Sequence, residues 1–93
     1  MSWLYRLAYA VGFRPWERAA ARAAEAIARM FEREERERQP PYGAALDLGC
    51  GTGMHSVALA RRGWQVTGIE LVPRALRLAR ERARQAGVEV RFV

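Results

Sequence analysis

Two acids and three glycines are the residues of this sequence whose types and spacing best suit chemistry. Asp47 stands two residues before Gly49, and glycines alternate through Gly49-Cys50-Gly51-Thr52-Gly53. Glu70 follows Gly51 by nineteen residues. Side chains at the three glycines would hold a ligand off the main chain. Without them the chain turns tightly and presents its amide N–H groups, with the positive end of the next helix, to a bound molecule. The pattern predicts a nucleotide-type binding loop. A carboxylate at position 70 can accept hydrogen bonds from both hydroxyls of a ribose, and a strand end puts it beside such a loop. The plain alternative for Glu70 is a solvated strand end.

The elements that must position these residues follow from periodicity. Ala44 to Leu48 reads as a short buried parallel strand and Met54 to Arg62 as a helix, closed by Arg61, Arg62 and Gly63. Gln65 to Ile69 is the second strand, ending at Glu70. Pro73 opens a second helix whose inner face carries Ala75, Leu76, Ala79, Ala83 and Ala86, and Gly87 ends it. Val88 to Val93 alternates as a third strand. Ahead of this unit, residues 2–13 predict a short amphipathic helix. A longer one is expected from about Trp16 to Arg38, with Ala20, Ala23, Ala24, Ile27, Met30 and Phe31 as its apolar stripe. Its charged end, Glu32 to Arg38, is read as a solvated face with Glu32–Arg36 and Glu34–Arg38 pairs. Pro40 and Pro41 stop it. The chain thus divides into a helical segment, 1–43, and a strand–helix unit, 44–93.

Composition bounds the alternatives. Ninety-three residues allow one small domain, and 51% apolar content is ordinary for a folded soluble chain. The net charge is +6, all of the basic residues are arginine, and eight fall in residues 1–43 and eight in 44–93. So even a spread does not form a concentrated nucleic-acid-binding patch. No apolar stretch reaches the ~20 residues needed to span a bilayer. The start has no apolar core followed by a small-residue cleavage site. The first sixteen residues contain arginine and no acid, as transit peptides do, but the cytoplasm is the expected location. A single cysteine fits a reducing compartment. Cys50 is read as a small residue tolerated beside a ligand rather than a nucleophile, because no base is in view. His55, in the first helical turn, is read as non-catalytic. No metal site is expected, since one histidine and one cysteine five apart make no ligand set.

Asp47 argues against a pyrophosphate ligand, which a nearby carboxylate would repel, and for a cationic, amino-acid-like one. Met54, where the dinucleotide fingerprint has its third glycine, argues the same way. Together, Asp47-Leu48-Gly49-Cys50-Gly51-Thr52-Gly53 and Glu70 resemble the two cofactor motifs of the class I S-adenosylmethionine-dependent methyltransferases. The likeness extends from Leu46 to Val93, including Val72-Pro73-Arg74-Ala75-Leu76. Pro15-Trp16-Glu17 also resembles a short segment of the thiopurine and tellurite type of small-molecule methyltransferase.

The resemblance implies an α/β, Rossmann-like fold with S-adenosyl-L-methionine as cofactor. It implies that Asp47 faces the ammonium of the cofactor's methionine end and that Gly49, Cys50, Gly51 and Gly53 pass backbone against it. Glu70 then holds the ribose and Leu71 touches the adenine. Tyr5, Tyr9 and Trp16 are candidates for a lid whose π faces attract the sulfonium, weighed against simple apolar packing. In this family acceptor binding and any general base come mostly from segments after the third strand, so no catalytic residue is named. The expected acceptor is a small molecule. A nicotinamide-dependent oxidoreductase fragment and a non-catalytic interaction module are the competing readings.

Right-handed crossovers put both helices of the 44–93 unit on one face of the sheet, and the long preceding helix joins them. The opposite face is then bare and the first strand becomes an open edge. The expectation is half of a methyltransferase fold, open to self-association or to a matching C-terminal half.

Overall fold

The computed structural model describes Ala19 and residues 23–93. The expected helix at 2–13, Tyr5, Tyr9, Trp16 and the Pro15-Trp16-Glu17 segment lie outside the described residues.

The described chain runs α1 (Ala24–Glu35), β1 (Gly43–Leu48), α2 (Met54–Arg62), β2 (Trp64–Ile69), α3 (Pro73–Ala86) and β3 (Val90–Phe92). The strands form one parallel sheet in the order β1-β2-β3, with Asp47 opposite Gly68 and Gly68 opposite Phe92. Alternation of side chains then sorts the sheet into two faces. Val66, Gly68 and Phe92 turn toward the helices and are buried. On the other face Leu46 is 60% exposed and Leu48 71%. This one-sided covering is the arrangement expected from the crossover rule.

The core lies between the sheet and α2 and α3, where Val57, Ala79, Ala83 and Phe92 meet. The alanine stripe of α3 explains the close approach. Ala75 and Ala79 are fully buried, and larger side chains there would push the helix off the sheet. Gly68 serves the same end, because a Cβ at this position would come within 2.9 Å of the Phe92 ring. Gly63 and Gly87 end α2 and α3 in the left-handed conformation, each returning its N–H to the last helical turn.

α1 departs from the sequence reading. It ends at Glu35, not Arg38, because Arg36 turns extended and Glu37 is left-handed at φ +62°. The charged end is not simply solvated. Glu35 accepts from Arg62 Nε at 2.8 Å, Arg62 Nη2 at 2.6 Å and Trp64 Nε1 at 2.8 Å. Arg38 lies beyond the helix, donates to the carbonyl oxygens of Glu34 and Tyr42, and stacks over the Tyr42 and Trp64 rings. This cluster fastens the α1–β1 connection to the start of β2. Of the expected stripe, Ile27 and Phe31 are half-buried and line a groove against Met54, His55 and Ala58 of α2, whereas Met30 is 55% exposed.

The hydrogen bonds from Arg62 hold the Glu35 carboxyl below its ordinary value of 4.5, against an opposing effect of burial and with added help from Trp64. A depressed carboxylate contributes stability that is present above its unfolded value and lost as pH falls through the folded one. The indole N–H resonance of Trp64, followed by NMR, should therefore hold its position down to below pH 4.5 and then shift as the cluster opens. In Glu35→Gln that low-pH transition should disappear.

Candidate functional site

The site is built at the C-terminal ends of β1 and β2, where a parallel sheet leaves a crevice for ligands. The chain leaves β1 at Leu48, bends through residues 49–53 and enters α2 at Met54. Gly49, Gly51 and Gly53 take φ values of +67°, +58° and +81°, a region that costs other residue types about 1–2 kcal/mol. The alternate glycines are therefore required by the bend itself.

They differ in what surrounds them. A Cβ on Gly49 would meet nothing within 4 Å, so its main chain is open to a ligand. A Cβ on Gly53 would lie 3.0 Å from Ala79 Cβ and 3.1 Å from the Phe92 ring. Gly53 thus lets the bend settle onto α3 and β3.

The expectation that the loop amides face a ligand is corrected at three positions. Cys50 N–H donates to the Ile69 carbonyl at 2.9 Å, Gly51 N–H to Glu70 Oε1 at 3.0 Å and Gly53 N–H to the Cys50 carbonyl at 3.0 Å. The chain satisfies these donors itself, since a buried amide left unpaired is costly.

Glu70 is not a solvated strand end. It is 6% exposed, and besides Gly51 it accepts the Val72 N–H on Oε2 at 2.9 Å. Each carboxylate oxygen has a second lone pair, so two amides leave acceptor capacity for hydroxyl groups. Asp47 is half-buried on β1 and accepts the Ser56 hydroxyl on Oδ2 at 2.7 Å. Leu71, next to Glu70, is 69% exposed, an apolar surface available to a flat ring. Open backbone at Gly49, an acid on either side and an exposed leucine fit an adenosyl ligand with a cationic end.

Cys50 is buried, and burial first, then the negative charges of Asp47 and Glu70, push its thiol up to about 11. A thiol so disfavoured as thiolate is a poor nucleophile at neutral pH. His55 lines the groove between α1 and α2, and its Nε2 is buried with no hydrogen-bond partner among the described residues. No group of three metal-ligating side chains occurs among the described residues, and no described helix is long and apolar enough to cross a membrane. The sequence reading overlooked Ser56 and Glu35. Ser56 carried a faint signal, a small polar residue beside Val57 on the buried face of α2.

A parallel sheet with a glycine bend after its first strand and an acid after its second defines a Rossmann-like nucleotide-binding domain. Comparison with known proteins narrows the class. The family described as a methyltransferase domain matches residues 45–93, more than half of the chain. A ubiquinone biosynthesis O-methyltransferase of Xylella fastidiosa (strain M23) is 47% identical over 47 residues, which cover 50% of this chain and 19% of that protein. Among solved structures, an RNA methyltransferase from Salinibacter ruber in complex with S-adenosyl-L-homocysteine is similar with a TM-score of 0.64 at 30% identity. That match covers 74% of this chain and 45% of the other. A SAM-dependent methyltransferase from Thiobacillus denitrificans, also in complex with S-adenosyl-L-homocysteine, gives 0.51 at 37% identity over 55% of this chain and 21% of that one. The chain belongs to the S-adenosylmethionine-dependent methyltransferase domain family. It spans about a fifth of the length of the curated relatives it matches, 19% to 23%.

Three expectations follow from the geometry and electrostatics of the bend. Gly49→Ala should cost about 1–2 kcal/mol of stability from its backbone conformation alone. Gly53→Ala should lose a further ~1–3 kcal/mol through overpacking against Ala79 and Phe92, measured by urea denaturation. Iodoacetamide should alkylate Cys50 in the folded chain with a pH midpoint near 11, falling toward 9.0, the unperturbed thiol value, once the chain is denatured.

Proposed function

We propose that this chain forms the cofactor-binding portion of an S-adenosylmethionine-dependent methyltransferase acting on a small-molecule acceptor. The observation that carries the reading is the pair of carboxylates at neighbouring strand ends, on either side of a bend whose backbone is open at Gly49. Asp47 complements the ammonium of the amino-acid end, and Glu70 receives the ribose hydroxyls on the lone pairs that Gly51 and Val72 leave. Gly49, with Cys50 and Gly51, gives the ligand a surface without side-chain obstruction, and Leu71 covers one face of the adenine. Trp16, with Tyr5 and Tyr9, supplies a lid in this reading.

When bound, S-adenosylmethionine supplies an electrophilic methyl group on a sulfonium for in-line displacement. The residues described here orient it and exclude water from one side. None of them acts as a general base: Cys50 is held protonated, and both acids are engaged in binding. The small-molecule acceptor is supported by the likeness of Pro15-Trp16-Glu17 noted above and by the ubiquinone biosynthesis relatives.

Titration calorimetry of the chain with S-adenosylmethionine, S-adenosylhomocysteine and NAD tests the reading, with binding of the first two and not of NAD expected. Glu70→Ala should weaken binding of both sulfur ligands by more than about 1 kcal/mol, the scale of hydrogen bonds to a charged group. Tighter binding of NAD would reject the proposal, and an unchanged affinity in Glu70→Ala would remove that residue from the site.

A further inference from the structure

Ser56 is the largest side chain in the described chain with no solvent exposure, and it sits in the first turn of α2. A serine in a helix commonly returns its hydroxyl to a carbonyl one turn back. Here Oγ reaches across to β1 and meets Asp47 Oδ2 at 2.7 Å. β2 makes the space for it. Gly68, the strand partner of Asp47, would with a Cβ come within 2.9 Å of Ser56 Oγ. Three elements therefore converge on one carboxylate: β1 carries it, α2 brings the hydroxyl, and β2 stays bare at the crossing point.

A hydroxyl has one proton to give, and a carboxylate has about four lone-pair sites. The bond thus fixes the direction of the Asp47 side chain and leaves capacity for a second donor. We infer that Ser56 is a positioning residue that aims Asp47 at the ammonium of the amino-acid end, so that the site recognises the amino-acid half of its ligand. This inference rests on the reading of Asp47 proposed above. Without Ser56 the carboxylate is free to rotate, and the entropy of ordering it is charged against ligand binding.

The test compares S-adenosylhomocysteine with 5′-methylthioadenosine, which keeps the adenosine and thioether but has no amino-acid end. Calorimetry on the full chain should give tighter binding of S-adenosylhomocysteine. Ser56→Ala should lose about tenfold in affinity for it, the scale of one hydrogen bond to a charged group, with affinity for methylthioadenosine unchanged. In Asp47→Asn the preference should vanish, and adding Ser56→Ala to that variant should cost nothing further. Equal losses for both ligands in Ser56→Ala, or no loss for either, would overturn the inference while leaving the Asp47 reading intact. A preference that survives Asp47→Asn would overturn both. Should Ser56→Ala fail to fold, Ser56→Cys keeps a weaker donor in place. It should lose affinity for S-adenosylhomocysteine alone, and a parallel loss of methylthioadenosine would count against the inference.

Discussion

The architecture of the site depends on one carboxylate with an amide on each oxygen. Glu70 joins the middle of the glycine bend, at Gly51, to the entry of α3, at Val72. Neither segment has a side-chain cap of its own at the helix it leads into. The acid instead ties down the segment that leads into each helix, accepting from Gly51 ahead of α2 and from Val72 at the start of α3, and charge assistance makes these bonds stronger than neutral ones. A buried carboxylate is costly in isolation, so its two amide partners are also the condition for its being there. The bend thereby keeps its shape through the protein's own bonds.

That self-sufficiency changes how the loop offers itself to a ligand. Cys50, Gly51 and Gly53 spend their N–H groups within the chain. What the bend contributes is bare surface at Gly49 and two acids at its margins, in a chain whose overall charge is +6. Local negative charge within a basic protein favours a ligand with a cationic group over a phosphate, in keeping with the methyltransferase family to which the chain belongs.

The α3 stripe, the glycine ends at Gly63 and Gly87, the open edge at β1 and the bare sheet face were legible because they follow from local periodicity and handedness. The end of α1 was not. Glu35 looks like one more acid in an alternating charged run, and its partners Arg62 and Trp64 lie 27 and 29 residues away. No spacing rule links them. Ser56 is similar: its partner is nine residues back on another element, and the role of Gly68 appears only once three elements meet. The motif showed which residues surround the bend, whereas the division of labour among its glycines required knowing that Phe92 lies beneath Gly53.

Phe92 and Ala79 form the floor on which Gly53 rests. Phe92 comes from the short third strand, far along the sequence from the bend, and its ring also presses on Gly68 beside the Asp47–Ser56 pair. One aromatic ring therefore sets the height of the bend and the seat of the acid together. A change of side chain at position 92 therefore cannot be local, because the space it fills is shared by Gly53 of the bend and Gly68 beside the acid.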